Sequence, residues 1–494
     1  MTWPFLTGID PISFAALSIA IEILGIFAAT EAIMKTRTAP GAIAWTLSLI
    51  LMPVLVLPLY LVFGRRKFRG YRKARRLGNA PIQKLAATLS QHLQQYLMTT
   101  PPPPHAVLER VAQMPFTTDN QLALLINGDA TFAMLFDAIR KARDYILLEY
   151  YIVRDDDLGL ALSELLLEKS RAGVRVFFLY DEIGSFQLGR SYINRLKAGG
   201  VDIRSFHTTK GRLNRFQLNF RNHRKIAVVD GEFAMIGGSN IGEEYLGHHP
   251  VLTPWRDTNL ALRGPSVQCL QLVFLEDWYW ACEQIPALNW TPAVPTVEMP
   301  IDEAAVGNPT CAAASTLVVP TGPADSLESC VLFMLHLINS AKKRLWIVSP
   351  YFVPDQSTVN ALQLAALRGV DVRILLPEKP DRRLVWLSSF AYLDDVQSTG
   401  IKVYRYRSGF LHQKVWLIDD ECAVIGTSNL DNRSFRLNFE VSVVVLQRQF
   451  ASAMKDMLMA DLAASRLLPP DQLSDRPWWF RLAVRCAYLL APIQ

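Results

Sequence analysis

The chain has 494 residues, which is too many for one ordinary hydrophobic core and suggests two or three domains. Half of the residues are hydrophobic, 19% are charged and the mean hydropathy is +0.16, which excludes a mainly disordered chain. The formal net charge is only +6. Six cysteines are scattered without a C-x-x-C pair, so the sequence predicts neither a disulfide framework nor a zinc site and favours a reducing cytoplasm.

Residues 1–64 are predicted to form a membrane helical hairpin. Two apolar stretches, roughly 11–34 and 38–63, flank a short basic loop, and the second carries no charge. About 20 apolar residues span a bilayer core as a helix, so the second stretch is the stronger transmembrane candidate. The first stretch contains Glu22. This carboxylate indicates either a site inside the membrane or, as we favour, a tilted or shallow helix with Glu22 against its neighbour.

A basic run opens the interval 65–125, which is predicted to be a juxtamembrane segment and linker. Eight positive charges fall between Arg65 and Arg76. The positive-inside bias therefore places this end, and the chain that follows it, in the cytoplasm. Such a run binds either nucleic acid or anionic lipid headgroups, and we favour lipid because the run adjoins a membrane span.

The remainder of the chain contains an internal duplication. Each copy has a basic helix end, a β-rich stretch, a helix ending at glycine and a second β-rich stretch, an order that predicts a βαβ unit with a buried parallel sheet. The first lobe is assigned to 126–290 and the second to 325–465, with a linker at 291–324. The last segment, 466–494, is predicted to be amphipathic and to lie at the membrane interface, with packing against the protein as the alternative.

Both lobes contain the same string of polar residues. From the histidine, the lysine lies two positions on, the aspartate seven and the asparagine seventeen in each copy. The residues are His223, Lys225, Asp230 and Asn240 in the first lobe, and His412, Lys414, Asp419 and Asn429 in the second.

This spacing predicts a site that binds a phosphodiester. Histidine and lysine two positions apart on a strand face the same side. A two-residue turn at 231–232 sets His223 opposite Asn240, and the same turn at 420–421 sets His412 opposite Asn429. Lysine and asparagine then bind the non-bridging oxygens while histidine acts at phosphorus or at the leaving oxygen. One such motif is usually ordinary surface, but two copies that agree at four positions favour a functional site.

The two H-x-K-x4-D motifs resemble those of the phospholipase D superfamily over roughly residues 125–465. The apolar N-terminal stretches and the strings at 242–245, 255–257 and 438–440 are similar to those of bacterial cardiolipin synthases, so the resemblance runs nearly end to end. It implies an α/β fold in which two phospholipase D-like lobes form one active site. Two transmembrane or membrane-embedded helices are expected to precede these lobes.

The resemblance also implies phosphatidyl transfer without a metal or cofactor. In this scheme His223 attacks the phosphorus of one phosphatidylglycerol and forms a phosphohistidine. His412 protonates the departing glycerol and then takes the proton from the hydroxyl of a second phosphatidylglycerol, which gives cardiolipin. The roles of the two histidines stay interchangeable at this level.

Four carboxylates are assigned roles beside these histidines. Asp257 lies 34 residues after His223, and Glu440 lies 28 after His412. By position in the family pattern, these two are the candidates to orient the imidazoles. Asp230 and Asp419 lie beside the predicted turns and are interpreted as structural supports rather than proton carriers.

The expected partners are phosphatidylglycerol and anionic membrane lipids, with no nucleic acid. The expected location is the bacterial inner membrane, as a multi-pass protein with its catalytic part on the cytoplasmic side. The first lobe reaches its motif through a segment with Lys210, Arg212, Arg215 and Arg221, either a solvated loop or a rim that faces headgroups. The alternatives are a phospholipase D-type hydrolase, a related phosphodiesterase or nuclease, and a non-catalytic lipid-binding scaffold.

Overall fold

A computed structural model describes residues 10–64, 71, 80–99, 105–207, 219–294, 310–470 and 473–494. The chain divides into two compact units: Met1–Gly70 with Thr208–Phe220, and Tyr71–His207 with Arg221–Gln494. Most of the predicted basic run, and the loop positions Lys210, Arg212 and Arg215, lie outside the described residues.

The first unit contains the apolar helices. Helix α1 (Pro11–Lys35) is followed by α2 (Ala39–Leu51), α3 (Pro53–Leu59) and a π-helical turn at Tyr60–Gly64. A side chain at Gly25 would begin only 2.8 Å from the Leu49 carbonyl oxygen, so this glycine lets α1 approach α2 closely. Ala29, Ala32 and Leu49 are buried in the same contact.

The structure reverses the predicted ranking of the two apolar stretches. Among the described residues, one helix, Ile12–Lys35, is long and apolar enough to cross a membrane. The second stretch breaks at Met52, because Pro53 cannot donate the backbone hydrogen bond that a continuous helix requires. Glu22 lies on an exposed part of α1, so the described helices do not bury its carboxylate as the favoured interpretation expected.

The second unit is a mixed α/β structure. Its helices are α4 (Ala80–Leu93), α5 (Ala106–Ala112), α6 (Asn127–Arg140), α7 (Asp157–Arg171), α8 (Arg190–Ala198), α9 (Ser266–Cys282), α10 (Ser329–Ser340), α11 (Gln356–Leu367), α12 (Arg383–Gln397), α13 (Asn432–Arg436), α14 (Arg448–Ala463) and α15 (Trp478–Tyr488), with 3-10 turns at Gln94–Tyr96, Glu243–Leu246 and Ala491–Ile493.

The strands alternate with these helices along the chain. They are β1 (Thr117–Ile126), β2 (Tyr145–Tyr150), β3 (Arg175–Asp181), β4 (Asp202–Phe206), β5 (Arg221–Asn222), β6 (Ile226–Val229), β7 (Phe233–Gly237), β8 (Trp255–Arg256), β9 (Thr258–Arg263), β10 (Thr310–Thr321), β11 (Arg344–Val348), β12 (Phe352–Val353), β13 (Asp371–Pro377), β14 (Lys402–Tyr406), β15 (Phe410–Leu411), β16 (Val415–Ile418), β17 (Cys422–Gly426), β18 (Leu430–Asp431), β19 (Asn438–Leu446) and β20 (Ser465–Leu467).

One sheet runs through both lobes. Its strand order is β20-β14-β13-β11-β16-β17-β19-β10-β1-β9-β7-β6-β2-β3-β4. The expected parallel βαβ units are present as β2-β3-β4 and β11-β13-β14, but the middle of the sheet is antiparallel. Strand β10 lies at that centre, so the interval 291–324 is more than the linker that was predicted.

The C-terminal helix α15 packs on the protein through one side. The Phe480 ring contacts Phe390 of α12 at 5.4 Å between centroids, and Val484 is buried. Trp478 and Trp479 are 69% and 58% exposed. One face of α15 therefore packs against the protein, which was the alternative prediction. The other face exposes both tryptophans, as an interfacial helix would.

Candidate active site

The two motif histidines lie where each lobe adds a short parallel bridge to the other. Strand β5 pairs with the start of β19, so that Asn222 lies beside Phe439. Strand β15 pairs with β8 in the same way. The backbone N–H of His223 then donates to the Phe439 carbonyl at 2.9 Å, and that of His412 donates to the Arg256 carbonyl at 2.8 Å. Each histidine is thus fixed by the opposite lobe.

This exchange decides which carboxylate each imidazole contacts. Nδ1 of His223 lies 2.9 Å from Glu440, and Nδ1 of His412 lies 2.9 Å from Asp257. Asp257 and Glu440 thus both contact a motif histidine, but each contacts the histidine of the opposite lobe rather than the one from which its position was counted. In both pairs the ring N–H that faces the carboxylate is Nδ1, which leaves Nε2 with its lone pair for chemistry.

Further side chains hold Glu440 in place. Thr427 Oγ1 donates to it at 2.6 Å, Ser434 Oγ at 2.8 Å and Asn438 Nδ2 at 3.1 Å. Sequence reasoning missed the roles of Thr427 and Ser434. Thr427 lies two residues before Asn429, where the first lobe has Gly238 two residues before Asn240, and this difference was the available signal.

The two motif lysines reach back toward their own histidines. Lys225 Nζ donates to the His223 carbonyl at 2.6 Å, and Lys414 Nζ donates to the His412 carbonyl. Lys225 Nζ also lies 5.4 Å from the centre of the Tyr151 ring. Both ammonium groups are buried beside the histidines, where the Glu440 and Asp257 carboxylates stabilise their charges.

The asparagines do not face the histidines as predicted. The β6–β7 register pairs Val229 with Phe233, and β16–β17 pairs Ile418 with Cys422, so each turn has three residues and the register differs by one. Asn240 accepts from the Ile152 N–H and donates to the Tyr245 hydroxyl. In Asn429 the side-chain oxygen is buried without a hydrogen-bond partner among the described residues.

The turn aspartates hold the starts of strands. Asp230 accepts from the backbone N–H groups of residues 143–145 at 2.8 Å each. Asp419 does the same for residues 342–344. Both aspartates have positive φ, 53° and 52°, a conformation that aspartate tolerates better than most residues. These contacts are those of structural supports.

Burial sets the protonation states of the site. It is the largest cause that lowers the pKa of His223 to about 4 and that of His412 to about 3. It also lowers the pKa of Lys225 to about 7 and that of Lys414 to about 8. Burial opposes ionisation of Glu440 and Asp257, but attraction to the histidines and lysines keeps the pKa of both carboxyls below the ordinary value.

The site therefore holds neutral imidazoles between balanced charges at a pH below the pKa of Lys225. Two ammonium groups oppose two carboxylates, and each neutral histidine keeps an unprotonated Nε2. No group of three or more metal-ligating side chains occurs among the described residues. All six cysteines, which lie in the described ranges, are free thiols. Such a site is suited to nucleophilic attack at phosphorus with proton transfer by a second imidazole.

The continuous two-lobed sheet and the exchanged histidine–carboxylate pairs define a phospholipase D-like protein. The model of the cardiolipin synthase, PLD-like domain matches residues 135–267 and 334–462, and that of the phospholipase D-nuclease N-terminal domain matches 23–65. The chain belongs to the cardiolipin synthase, PLD-like family.

The similarity to curated relatives covers almost the whole chain. "Cardiolipin synthase A" of Pseudomonas aeruginosa is 47% identical over 482 residues, which cover 97% of this chain and 95% of the relative. "Cardiolipin synthase A" of Pseudomonas putida is 46% identical over 489 residues, with 98% of both chains covered. Among solved structures, phosphatidylserine synthase of Haemophilus influenzae has a TM-score of 0.58 at 15% identity, covering 80% of this chain and 100% of that chain. That likeness is one of fold.

Proposed function

We propose that this protein acts as a cardiolipin synthase that transfers a phosphatidyl group from one phosphatidylglycerol to another. Near-full-length similarity to relatives of that name supports the reaction class. The observation that carries the chemistry is the pair of neutral imidazoles, each held at Nδ1 by a carboxylate, beside two buried lysines.

In the first step, one histidine acts as the nucleophile. Following the family pattern, we assign this role to His223, whose Nε2 attacks the phosphorus of the donor. The bond from phosphorus to the glycerol oxygen breaks, and His412 gives that oxygen its proton. Lys225 and Lys414 bind the non-bridging oxygens, where negative charge concentrates in the transition state. The products are glycerol and a phosphatidyl-histidine.

In the second step, the acceptor replaces the glycerol. His412, now neutral, takes the proton from a hydroxyl of the second phosphatidylglycerol, and the oxygen attacks phosphorus. The bond to His223 breaks, which releases cardiolipin and regenerates the neutral imidazole. One difficult displacement is thereby divided into two easier ones, with the same residue as acid and then as base.

Charge balance explains how one histidine becomes the acid although burial favours neutral imidazoles. Before substrate binds, the charges of the two protonated lysines and of the two carboxylates cancel. A bound phosphodiester adds one negative charge and raises the pKa of the nearby imidazoles. One proton then restores neutrality, so one histidine is cationic while the other stays a nucleophile.

The membrane part of the proposal rests on the N-terminal unit. We propose a multi-pass protein of the bacterial inner membrane, with residues 1–64 embedded and both lobes on the cytoplasmic side. We also propose that the first lobe comprises residues 126–290 and the second lobe residues 325–465. Helix α1 has the length and composition that a spanning helix needs.

Product analysis tests this function. Purified protein is given phosphatidylglycerol vesicles, and the lipids and released glycerol are resolved over time. We expect cardiolipin and glycerol in equal amounts. Phosphatidic acid as the product, without cardiolipin, would identify a hydrolase and contradict the proposal.

Histidine variants test the mechanism in the same assay. His223→Ala and His412→Ala are each expected to lower cardiolipin formation at least about a thousandfold. The matched control is His248→Ala, because the His248 side chain is 64% exposed and outside the site. EDTA is expected to leave the rate unchanged; a loss of activity that a divalent cation restores would contradict the absence of a metal step.

A further inference from the structure

The proposed reaction requires a second anion site, and the inference below rests on that function. The donor phosphate occupies the histidines and the two lysines. The acceptor phosphatidylglycerol carries its own phosphate, separated from the attacking hydroxyl by one glycerol. A site that favours this acceptor over water therefore needs positive groups a short distance from the histidines.

Tyr151 marks one wall of the histidine site. Its ring lies 4.9 Å from the His223 ring between centroids, with the planes at 64°. The Lys225 ammonium lies over the same ring. The backbone carbonyl of Tyr151 accepts from Ser185 Oγ at 3.1 Å, which ties the residue to its own lobe. Groups that surround the Tyr151 hydroxyl are consequently neighbours of the reaction centre.

Three arginines interact with that hydroxyl through their charges. Arg221, Arg433 and Arg382 each act to lower the pKa of the Tyr151 phenol, which burial and Asp181 raise. The backbone brings two of them together, because the Arg221 N–H donates to the Leu437 carbonyl at 3.3 Å and the Leu437 N–H donates to the Arg433 carbonyl at 2.7 Å. They come from opposite lobes.

Both Arg433 and Arg382 have defined positions. Arg433 Nη1 donates to the Ile493 carbonyl at 3.1 Å. Its pKa is lowered by burial and then by repulsion from Arg221. Arg382 precedes helix α12 and lies beside Tyr351, which stands in the second lobe where Tyr151 stands in the first. Like charges held near one another have a cost that a bound anion removes.

The nearby carboxylates attract these arginines and also accept hydrogen bonds from other donors. Asp181 accepts from the backbone N–H groups of Ile183, Gly184 and Asn222. Asp431 accepts from the Ser434 N–H at the start of α13, and Asp381 accepts from the Tyr351 hydroxyl.

We propose that Arg221, Arg382 and Arg433 bind the phosphate of the acceptor phosphatidylglycerol. Guanidinium groups bind phosphate oxygens through paired hydrogen bonds. In this arrangement they hold the acceptor phosphate on the Tyr151 side of the histidine pair, and the acceptor glycerol extends from there to the reacting phosphorus. The three arginines are specificity-determining residues, which select an anionic acceptor over water and neutral alcohols.

A competition between two acceptors tests the proposal. Phosphatidylglycerol vesicles are incubated with the protein in the presence of ethanol, and cardiolipin is measured against phosphatidylethanol, since both products come from the same intermediate. Arg382→Gln and Arg433→Gln are each expected to lower the ratio of cardiolipin to phosphatidylethanol by about tenfold or more. The control Arg383→Gln, an exposed arginine next in sequence, is expected to keep the wild-type ratio.

The other outcomes overturn the proposal in distinguishable ways. An equal fall of both products in the arginine variants would assign these residues to the donor or to folding. An unchanged ratio would show that they contribute nothing to acceptor choice. Wild-type protein that forms phosphatidylethanol but no cardiolipin would overturn the proposed function, and the acceptor site with it.

Discussion

In both lobes the motif histidine is bonded to the opposite lobe. The residue between the motif histidine and lysine, however, has different partners in the two lobes. In the first lobe this residue is Arg224, fully buried, and it pairs with Asp277 of α9. In the second it is Gln413, which donates to Asp461 of α14 at 2.7 Å. The arginine that pairs with Asp461, at 2.8 Å, is Arg256 of the other lobe.

Each lobe thus has one buried arginine–aspartate pair, although the arginine comes from a different place. In the strings that bring the carboxylates, Arg256 precedes Asp257 and Phe439 precedes Glu440. In the first lobe the motif supplies the arginine, Arg224, and the string from the second lobe has Phe439. In the second lobe the motif has Gln413, and the string from the first lobe supplies Arg256. The requirement is for one cation at each helix aspartate, whichever lobe supplies it.

The largest effect is expected when the carboxylates that orient the two histidines are replaced. Glu440→Gln and Asp257→Asn leave the shape of each pair but present an amide to the imidazole, so the tautomer with a free Nε2 is no longer favoured. We expect the turnover rate to fall on the order of 10²- to 10⁴-fold in each. Circular dichroism should match the wild type, and a fall accompanied by unfolding would not support this role.

The same two variants separate the histidine roles. If His223 is the nucleophile, Glu440→Gln prevents formation of the phosphatidyl-enzyme. Asp257→Asn misorients only the acid/base, so the intermediate forms slowly and persists because its transfer to the acceptor also needs a base. Mass spectrometry of acid-quenched protein measures the adduct. An adduct in the Glu440→Gln variant but not in Asp257→Asn would reverse the assignment.

Because the two buried arginines come from different positions, replacing the residue between motif histidine and lysine is expected to destabilise the two lobes unequally. Arg224→Gln leaves Asp277 buried without its cation and is expected to lower the free energy of unfolding by about 3 kcal/mol. Gln413→Met removes one hydrogen bond to the Asp461 carboxylate and one from Thr258, while Arg256 still pairs with Asp461, so we expect a loss of about 1.5 kcal/mol. Urea unfolding in detergent measures both. Equal losses would contradict the distinction.

A double-mutant cycle sharpens this prediction. Phe439→Arg in the wild type places a second cation near Arg224, whose guanidinium lies 5.6 Å from the Phe439 ring. In the Arg224→Gln background the same change supplies the missing partner. We expect a favourable coupling of about 1 kcal/mol or more; additive losses would show that the arginine cannot be moved across the lobe boundary.

The smallest expected effect is a difference in titration of the two lysines. The pKa of Lys225 is about 7 and that of Lys414 about 8. As pH rises through this range the lysines of the free protein lose their protons, so kcat/KM should fall about tenfold per pH unit above the first pKa and more steeply above the second. A kcat/KM that rises between pH 6 and 8, as for an ordinary histidine base, would contradict these states.

Sequence reasoning identified the residue types of the site better than their pairing. The motif histidines and lysines were found because two copies agree in spacing. Their carboxylates were assigned within each lobe, since nothing in the spacing encodes the two-residue bridges β5–β19 and β15–β8. Tyr151 was noticed only as part of the duplication.

Local backbone conformation explains the other differences. The turn register was wrong by one residue because Asp230 and Asp419 take positive φ to place their carboxylates against three backbone N–H groups. In the second apolar stretch, Pro53 divides the helix into α2 and α3. Strand β10 was hidden because its surroundings, rich in proline and alanine, are typical of a linker.

The parallel bridges have a consequence for biosynthesis. His223 contacts a carboxylate 217 residues further along the chain, so a nascent chain that has completed only the first lobe carries an imidazole without its tautomer support. Domains fold from the N-terminus during synthesis, yet His223 has no carboxylate partner until β19 joins the sheet, and His412 itself belongs to the second lobe. Phosphatidyl-group chemistry at a membrane is therefore withheld until the second lobe has been made.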